Sequence, residues 1–130
     1  PENYLVSLHI EVADTLTAAD IDRITREIQT LVLDKFNIYI AAVGIYSVNT
    51  QDAEAMEIQK TVEEIILSHK TVIQIHGFYY DRARRMISVD IVLSFDEKDS
   101  DGVYKDIYDR ITAAYPDCSL NLAMDTDISD

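Results

Sequence analysis

Residues 86–95, Met-Ile-Ser-Val-Asp-Ile-Val-Leu-Ser-Phe, decide how this chain folds. Their apolar side chains stand at every second position: Ile87, Val89, Ile91, Leu93 and Phe95. Alternation with a period of two is typical of a strand that has one face in the core and one face open. We therefore expect a sheet whose outward face carries Ser88, Asp90 and Ser94.

The neighbours of this strand define the second half of the chain. The polar stretch 81–85 separates it from a preceding apolar segment, as in an antiparallel hairpin. Helical spacing of apolar residues and turn signals place the other elements as a helix at 53–69, a strand at 72–80, a helix after Asp99 that stops at Tyr115-Pro116, and a strand at 118–125. Residues 51–130 are therefore predicted to form one αββαβ domain.

The first half predicts a βαβ segment. Residues 4–12 alternate, Thr17 to Asp20 resembles a helix capping box, and apolar residues follow at helical spacing until Asn37. Residues 38–48 form an apolar strand. The order βαβ-αββαβ predicts an α+β two-layer sandwich of ferredoxin-like kind, with helices on one face of a mainly antiparallel sheet.

The two halves also look like a repeat. Ser-Leu-His-Ile-Glu-Val at 7–12 has its counterpart in Ser-Val-Asp-Ile-Val-Leu at 88–93, and each leads to a helix and a strand. We expect residues 1–50 to be a partial repeat packed on the complete domain of residues 51–130.

Composition limits the classes of function. The 130-residue chain has a formal net charge of −13, which repels phosphate backbones, so nucleic acid is not an expected partner. The same charge also serves simply to keep a domain soluble. The single cysteine, Cys118, excludes an internal disulfide and a multi-cysteine zinc cluster. The sequence has no phosphate-binding glycine loop and no His-Glu-x-x-His motif, so we do not expect an enzyme.

Imidazole and carboxylate groups fall at outward positions of the predicted strands. These candidate metal ligands are His9, His76, Asp90, Asp125 and Asp127. Neutral imidazole nitrogen and carboxylate oxygen suit Zn(II) or a similar first-row cation. The alternative is that they are solvated polar residues on an exposed sheet.

Several of these residues also carry a resemblance to a known family. The sequence His-Gly-Phe-Tyr-Tyr-Asp at 76–81, the strand 87–92, and the closing Met-Asp-Thr-Asp at 124–127 resemble the cytosolic domain of cation diffusion facilitators. The resemblance covers residues 53–130, and residues 4–48 look like the latter βαβ part of a second copy.

This resemblance implies a cytosolic regulatory and dimerisation domain of a divalent cation efflux transporter. Such a domain forms a homodimer, binds cations at or near the dimer interface, and belongs to a longer chain whose transmembrane domain exchanges metal for protons. It lies on the cytoplasmic side of the cell membrane.

The match of ligands to the family is partial. His76 stands where the family has its first-strand histidine, whereas Asp90, Asp125 and Asp127 stand where the family has a histidine or the His-x-Asp pair. Carboxylates harden the site, so Mn(II), Fe(II) or even Mg(II) are alternatives to Zn(II), the ion we expect first. In the first half, residues 43–45 occupy the place of His-x-Asp, which leaves His9 as an isolated donor.

Three further expectations follow from the sequence. The alternative function is a stand-alone ferredoxin-like sensor or small-ligand-binding domain that dimerises without metal. His69, late on the helix at 53–69, is expected to interact with the helix dipole rather than to bind metal. The arginines of the hairpin tip at 82–85 are expected to lie in a solvated turn, with an acidic partner surface or anionic headgroups as alternatives.

Overall fold

The computed structural model describes residues 4–127 and confirms the predicted order of elements. The fold is α+β, with two-layer packing consistent with a ferredoxin-like arrangement. Its helices and strands are β1 (Tyr4–Ala13), α1 (Ala18–Phe36), β2 (Ile38–Val48), α2 (Ala53–Leu67), β3 (Val72–Asp81), β4 (Met86–Ser94), α3 (Ser100–Ala114) and β5 (Ser119–Asp127). No helix within residues 4–127 is both long enough and apolar enough to cross a membrane.

The chain divides into two compact units, Pro1–Thr50 and Gln51–Asp130. Each unit has its own sheet, which contains two strands in the first unit and three in the second. The packing of the first unit on the second, and its origin as a repeat, stay predictions.

The first unit is a strand, a helix and a second strand parallel to the first. Helix α1 begins at the capping box between Thr17 and Asp20, whose side chains each bond the backbone amide of the other. It ends at Asn37, which adopts the left-handed conformation that asparagine tolerates well. Within the described part of this unit, Ile40 is the one apolar side chain that is buried, so this unit has almost no enclosed core.

The second unit encloses the core. Its sheet has the order β3-β4-β5, and helices α2 and α3 cover the face of β4 that carries the alternating apolar residues. The largest fully buried side chains are Ile66, Ile87, Ile91, Leu93, Ile107 and Ile111. Asp52 and Asp99 cap the two helices by accepting bonds from backbone amides of the first turns. The open face of the sheet therefore carries the other residues of β4, which include Asp90.

Strand pairing differs from the predicted mainly antiparallel sheet. β3 and β4 form the expected antiparallel hairpin, but β1 pairs with β2, and β4 with β5, in parallel. The reason is the helix between the strands of each parallel pair, because it returns the chain to the end from which the first strand started. The prediction that Phe95 faces inward was also wrong: β4 ends at Ser94, and the Phe95 side chain is exposed.

Candidate functional site

The open face of the three-stranded sheet carries four of the five predicted ligands. On this face His76 of β3 stands opposite Asp90 of β4. Asp90 is opposite Ala123 of β5, so Asp125 lies two residues farther along that strand, opposite Val92. Asp127 follows opposite Ser94 at the end of the strand. The face thus presents one imidazole and three carboxylates. They form a row that starts with the facing pair His76 and Asp90 and continues along β5 to Asp127.

His76 and Asp90 form the closest pair of this row. The Nδ1 atom of His76 lies 3.8 Å from the Oδ2 atom of Asp90, and both side chains are about one-third exposed. This distance is too long for a direct hydrogen bond but allows an ion pair when the imidazole is protonated. It also leaves the two donor atoms close enough to bind one cation after a small rotation of either side chain.

A bulge at Gly77 sets the orientation of His76. Gly77 is buried and has a φ of 67°, in the left-handed region that glycine adopts without strain. The register shifts by one residue between His76 and Tyr79, so that Tyr79 faces Ser88 and Tyr80 faces Ile87. Because side chains alternate along a strand, the extra residue keeps His76 on the open face while Tyr80 turns into the core.

Tyr80 and the hairpin tip are held by the start of α2. The Tyr80 hydroxyl donates to Glu54, and Arg82 binds both Asp52 and Glu54. Burial, followed by the bond to Glu54, raises the pKa of Tyr80, and the Arg82 guanidinium lowers the pKa of Asp52. Arg82 is therefore paired within its own domain, while residues 82–85 form the exposed turn expected from the sequence.

His9 belongs to the first unit and has different neighbours. Its ring covers Gly44, where an added Cβ would lie only 2.2 Å from the His9 Cδ2 atom. The ring also stacks on Tyr46 with a centroid separation of 5.0 Å. The absence of a side chain at Gly44 is thus what lets the imidazole lie flat against the neighbouring strand. Its role as an isolated metal donor stays a prediction.

Within residues 4–127, no three side chains of His, Cys, Asp or Glu converge closely enough to hold a metal ion. A single chain in this conformation offers the His76 and Asp90 pair, with Asp125 and Asp127 farther along the same face. The donor types suit a first-row divalent cation, since they combine imidazole nitrogen with carboxylate oxygen. A complete coordination shell from these residues requires either movement of side chains or donors from a second molecule.

A second polar cluster joins the two helices of the same unit, and the sequence did not reveal it. The Nε2 atom of His69 lies 2.6 Å from the Oδ2 atom of Asp106, and Arg110 binds both Asp106 and the Ser68 hydroxyl. The bond to His69, and then Arg110, lowers the pKa of Asp106. His69 therefore interacts with a carboxylate of α3, a partner that no spacing along α2 could have indicated.

Comparison of the chain with protein-family models, curated proteins and solved structures gave no match. We therefore infer function from the residues and their geometry.

Proposed function

We propose that this chain is a cytosolic regulatory and dimerisation domain of a divalent cation efflux transporter, and that cations bound at or near its dimer interface modulate transport. The observation that supports the proposal is the pairing of His76 with Asp90 on an open sheet face, with Asp125 and Asp127 on the adjoining strand. These positions are the ones that the sequence resemblance assigns to metal ligands.

The chemistry of the face fits this role. One imidazole and three carboxylates supply nitrogen and oxygen donors for Zn(II), with Mn(II) and Fe(II) as alternatives. His76 and Asp90 would hold the cation, and the carboxylates of β5, from the same or a second copy, would complete its coordination. The bound cation supplies positive charge between acidic surfaces.

That charge explains how a cation can regulate association. Two chains with a formal net charge of −13 repel each other at close range. A cation that binds the closed pair more tightly than the open one shifts the equilibrium toward the closed pair, by about 2–4 kcal/mol at saturating metal. The transmembrane domain of the full-length transporter would respond to this closure on the cytoplasmic side of the membrane.

Calorimetric titration with Zn(II) and Mn(II) tests the proposal. We expect binding in about the micromolar range, weakened at least roughly tenfold by His76→Ala or Asp90→Asn. His69→Gln is the matched control, because the His69 ring is already bonded to Asp106 and should contribute little to metal binding. His9→Ala then shows whether the first unit contributes a donor.

The alternative function, a stand-alone sensor or small-ligand-binding domain, predicts a different result. The same open face carries Tyr79, whose side chain is half-exposed, and the half-buried Val92. These groups offer an apolar contact to an organic ligand. Absence of heat with every divalent ion, together with unchanged scattering in chelator and in excess metal, would reject the transporter proposal and favour the sensor.

A further inference from the structure

The two units contain the same substructure, but it is enclosed in one and open in the other. β1-α1-β2 and β4-α3-β5 are both a strand, a helix and a parallel strand. The inward residues of β4 and α3 are almost fully buried: Ile87, Val89, Ile91, Leu93, Val103, Ile107 and Ile111. By contrast α1 has no buried residue, and Leu8, Ile10 and Val12 of β1 are only half-buried. The first unit therefore lacks neighbours that the second unit possesses.

The second unit shows which neighbours these are. β4 pairs on its other edge with the antiparallel strand β3, and α2 packs beside α3 on the same side of the sheet. Within residues 4–127, the ladder of β1 involves β2 alone. An equivalent enclosure of the first unit needs an antiparallel strand on the outer edge of β1 and a helix beside α1.

A second copy of the chain supplies both. A two-fold axis perpendicular to the sheet at the edge of β1 makes the two β1 strands antiparallel and places both α1 helices on the same side. We propose that β1 pairs with β1 of a second copy, forming a four-stranded sheet of order β2-β1-β1-β2. Strand addition at an exposed edge gives hydrogen-bond partners to the backbone N–H and C=O groups of that edge. It also buries the half-exposed apolar residues of both copies.

The charged groups of β1 give the register. His9 and Glu11 flank Ile10, so pairing Ile10 with Ile10 of the second copy places His9 opposite Glu11 of that copy, twice per dimer. The extra residue that shifts the ladder between Val6 and Ser7 is Ala41 of β2, so β1 itself is continuous. Facing side chains of opposite charge stabilise a sheet, whereas facing side chains of like charge destabilise it.

The strand is suited to self-association in an acidic protein. Glu11 is the single acidic residue of β1, although the whole chain carries a net charge of −13. This contact needs no metal and involves none of the residues on the open face of the second unit. It is thus separate from the cation-dependent association proposed above, and a chelator distinguishes the two.

Disulfide cross-linking tests the register in a Cys118→Ser background. We expect Ile10→Cys to cross-link with itself, because directly opposite residues have Cβ atoms about 4.5–5.5 Å apart. Leu8→Cys and Val12→Cys alone should not cross-link, since each lies four residues, or about 13 Å, from its own counterpart. A mixture of these two chains should form a heterodimer, because Leu8 faces Val12 of the second copy. Any other pattern overturns the proposal.

Sedimentation of the unmodified chain in chelator tests the association itself. We expect a dimer with a dissociation constant in about the micromolar range. His9→Glu should weaken it by about 3- to 30-fold through two repulsive pairs, and combining it with Glu11→His should restore it. Circular dichroism verifies that these variants fold. A chain that is monomeric in chelator and dimerises only with divalent metal overturns this inference while it leaves the transporter proposal standing.

Discussion

The Nε2 atom of His69 lies 2.6 Å from the Oδ2 atom of Asp106, and this bond ties the residues after α2 to the middle of α3. The imidazole is mostly buried, whereas the carboxylate is nearly half-exposed and also binds Arg110. The two helices that cover the sheet are therefore joined by their shared apolar core and by a polar clamp, formed by His69, Asp106 and Arg110, at the carboxyl end of α2.

The lowered pKa of Asp106 predicts how this clamp responds to acid. A carboxyl group whose pKa is depressed by folding stabilises the fold above its unfolded pKa, near 3.9, and loses that contribution as pH falls through the folded value. We expect Asp106→Asn to be less stable than the unmodified chain at pH 7 and the difference to shrink below about pH 4. Urea denaturation at several pH values measures this difference in stability. Asp109→Asn, on the same helix, is the control, and an equal acid response of the two variants would contradict the role of the clamp.

The bulge at Gly77 predicts a large effect from one methyl group. Its φ of 67° forces a side chain into the left-handed region, so Gly77→Ala should lower the free energy of unfolding by about 1–2 kcal/mol. Arg85, with a φ of 49°, is the matched control, because Arg85→Gly removes strain and should not destabilise the chain. Denaturant unfolding provides both values. Equal stability of Gly77→Ala and the unmodified chain would show that the bulge relaxes without cost.

The unequal cores of the two units predict unequal sensitivity to truncation. The Ile107 side chain in α3 is 0% exposed, so Ile107→Ala leaves a buried cavity and should lower the free energy of unfolding by about 2–5 kcal/mol. Ile28→Ala in α1 removes a half-buried side chain and should lower the free energy of unfolding by about 1 kcal/mol. The comparison requires dilute protein in chelator, so that association does not contribute. Similar losses at the two positions would mean that the first unit is as well enclosed as the second.

The close approach of His9 to Gly44 predicts a local rearrangement. A Cβ at position 44 would overlap the imidazole, so Gly44→Ala should turn the ring away from Tyr46 and end their stacking. The shift of the His9 ring protons in nuclear magnetic resonance spectra reports this change, because a stacked tyrosine alters their resonance. Tyr46→Leu should produce a similar shift, and Tyr39→Leu should not. Unchanged His9 resonances in Gly44→Ala would contradict the geometry.

The alternation of apolar residues in residues 86–95 was sufficient to place β4 and its open face, including Asp90. Two helix starts could also be predicted from the sequence, since Thr17 with Asp20, and Asp99, bond the first turns of their helices as their positions indicated. These features depend on neighbours within a few residues along the chain, and a sequence shows such neighbours directly.

Strand pairing and the polar clamp could not be predicted from neighbours along the chain. The parallel pairing of β4 with β5 puts Asp125 on the same face as Asp90, two residues beyond the residue opposite it, and that register depends on how α3 packs across the sheet. His69 and Asp106 are 37 residues apart and meet only because α2 and α3 lie side by side.

The amino-acid sequence by itself determined the order of elements and the side of each strand that a polar residue occupies, because period and capping are local properties of the backbone. Only the tertiary structure decided which polar residues meet, such as His76 with Asp90 and His9 with Tyr46. Contacts between distant segments are set by packing of side chains in three dimensions, which leaves no regular spacing in the chain.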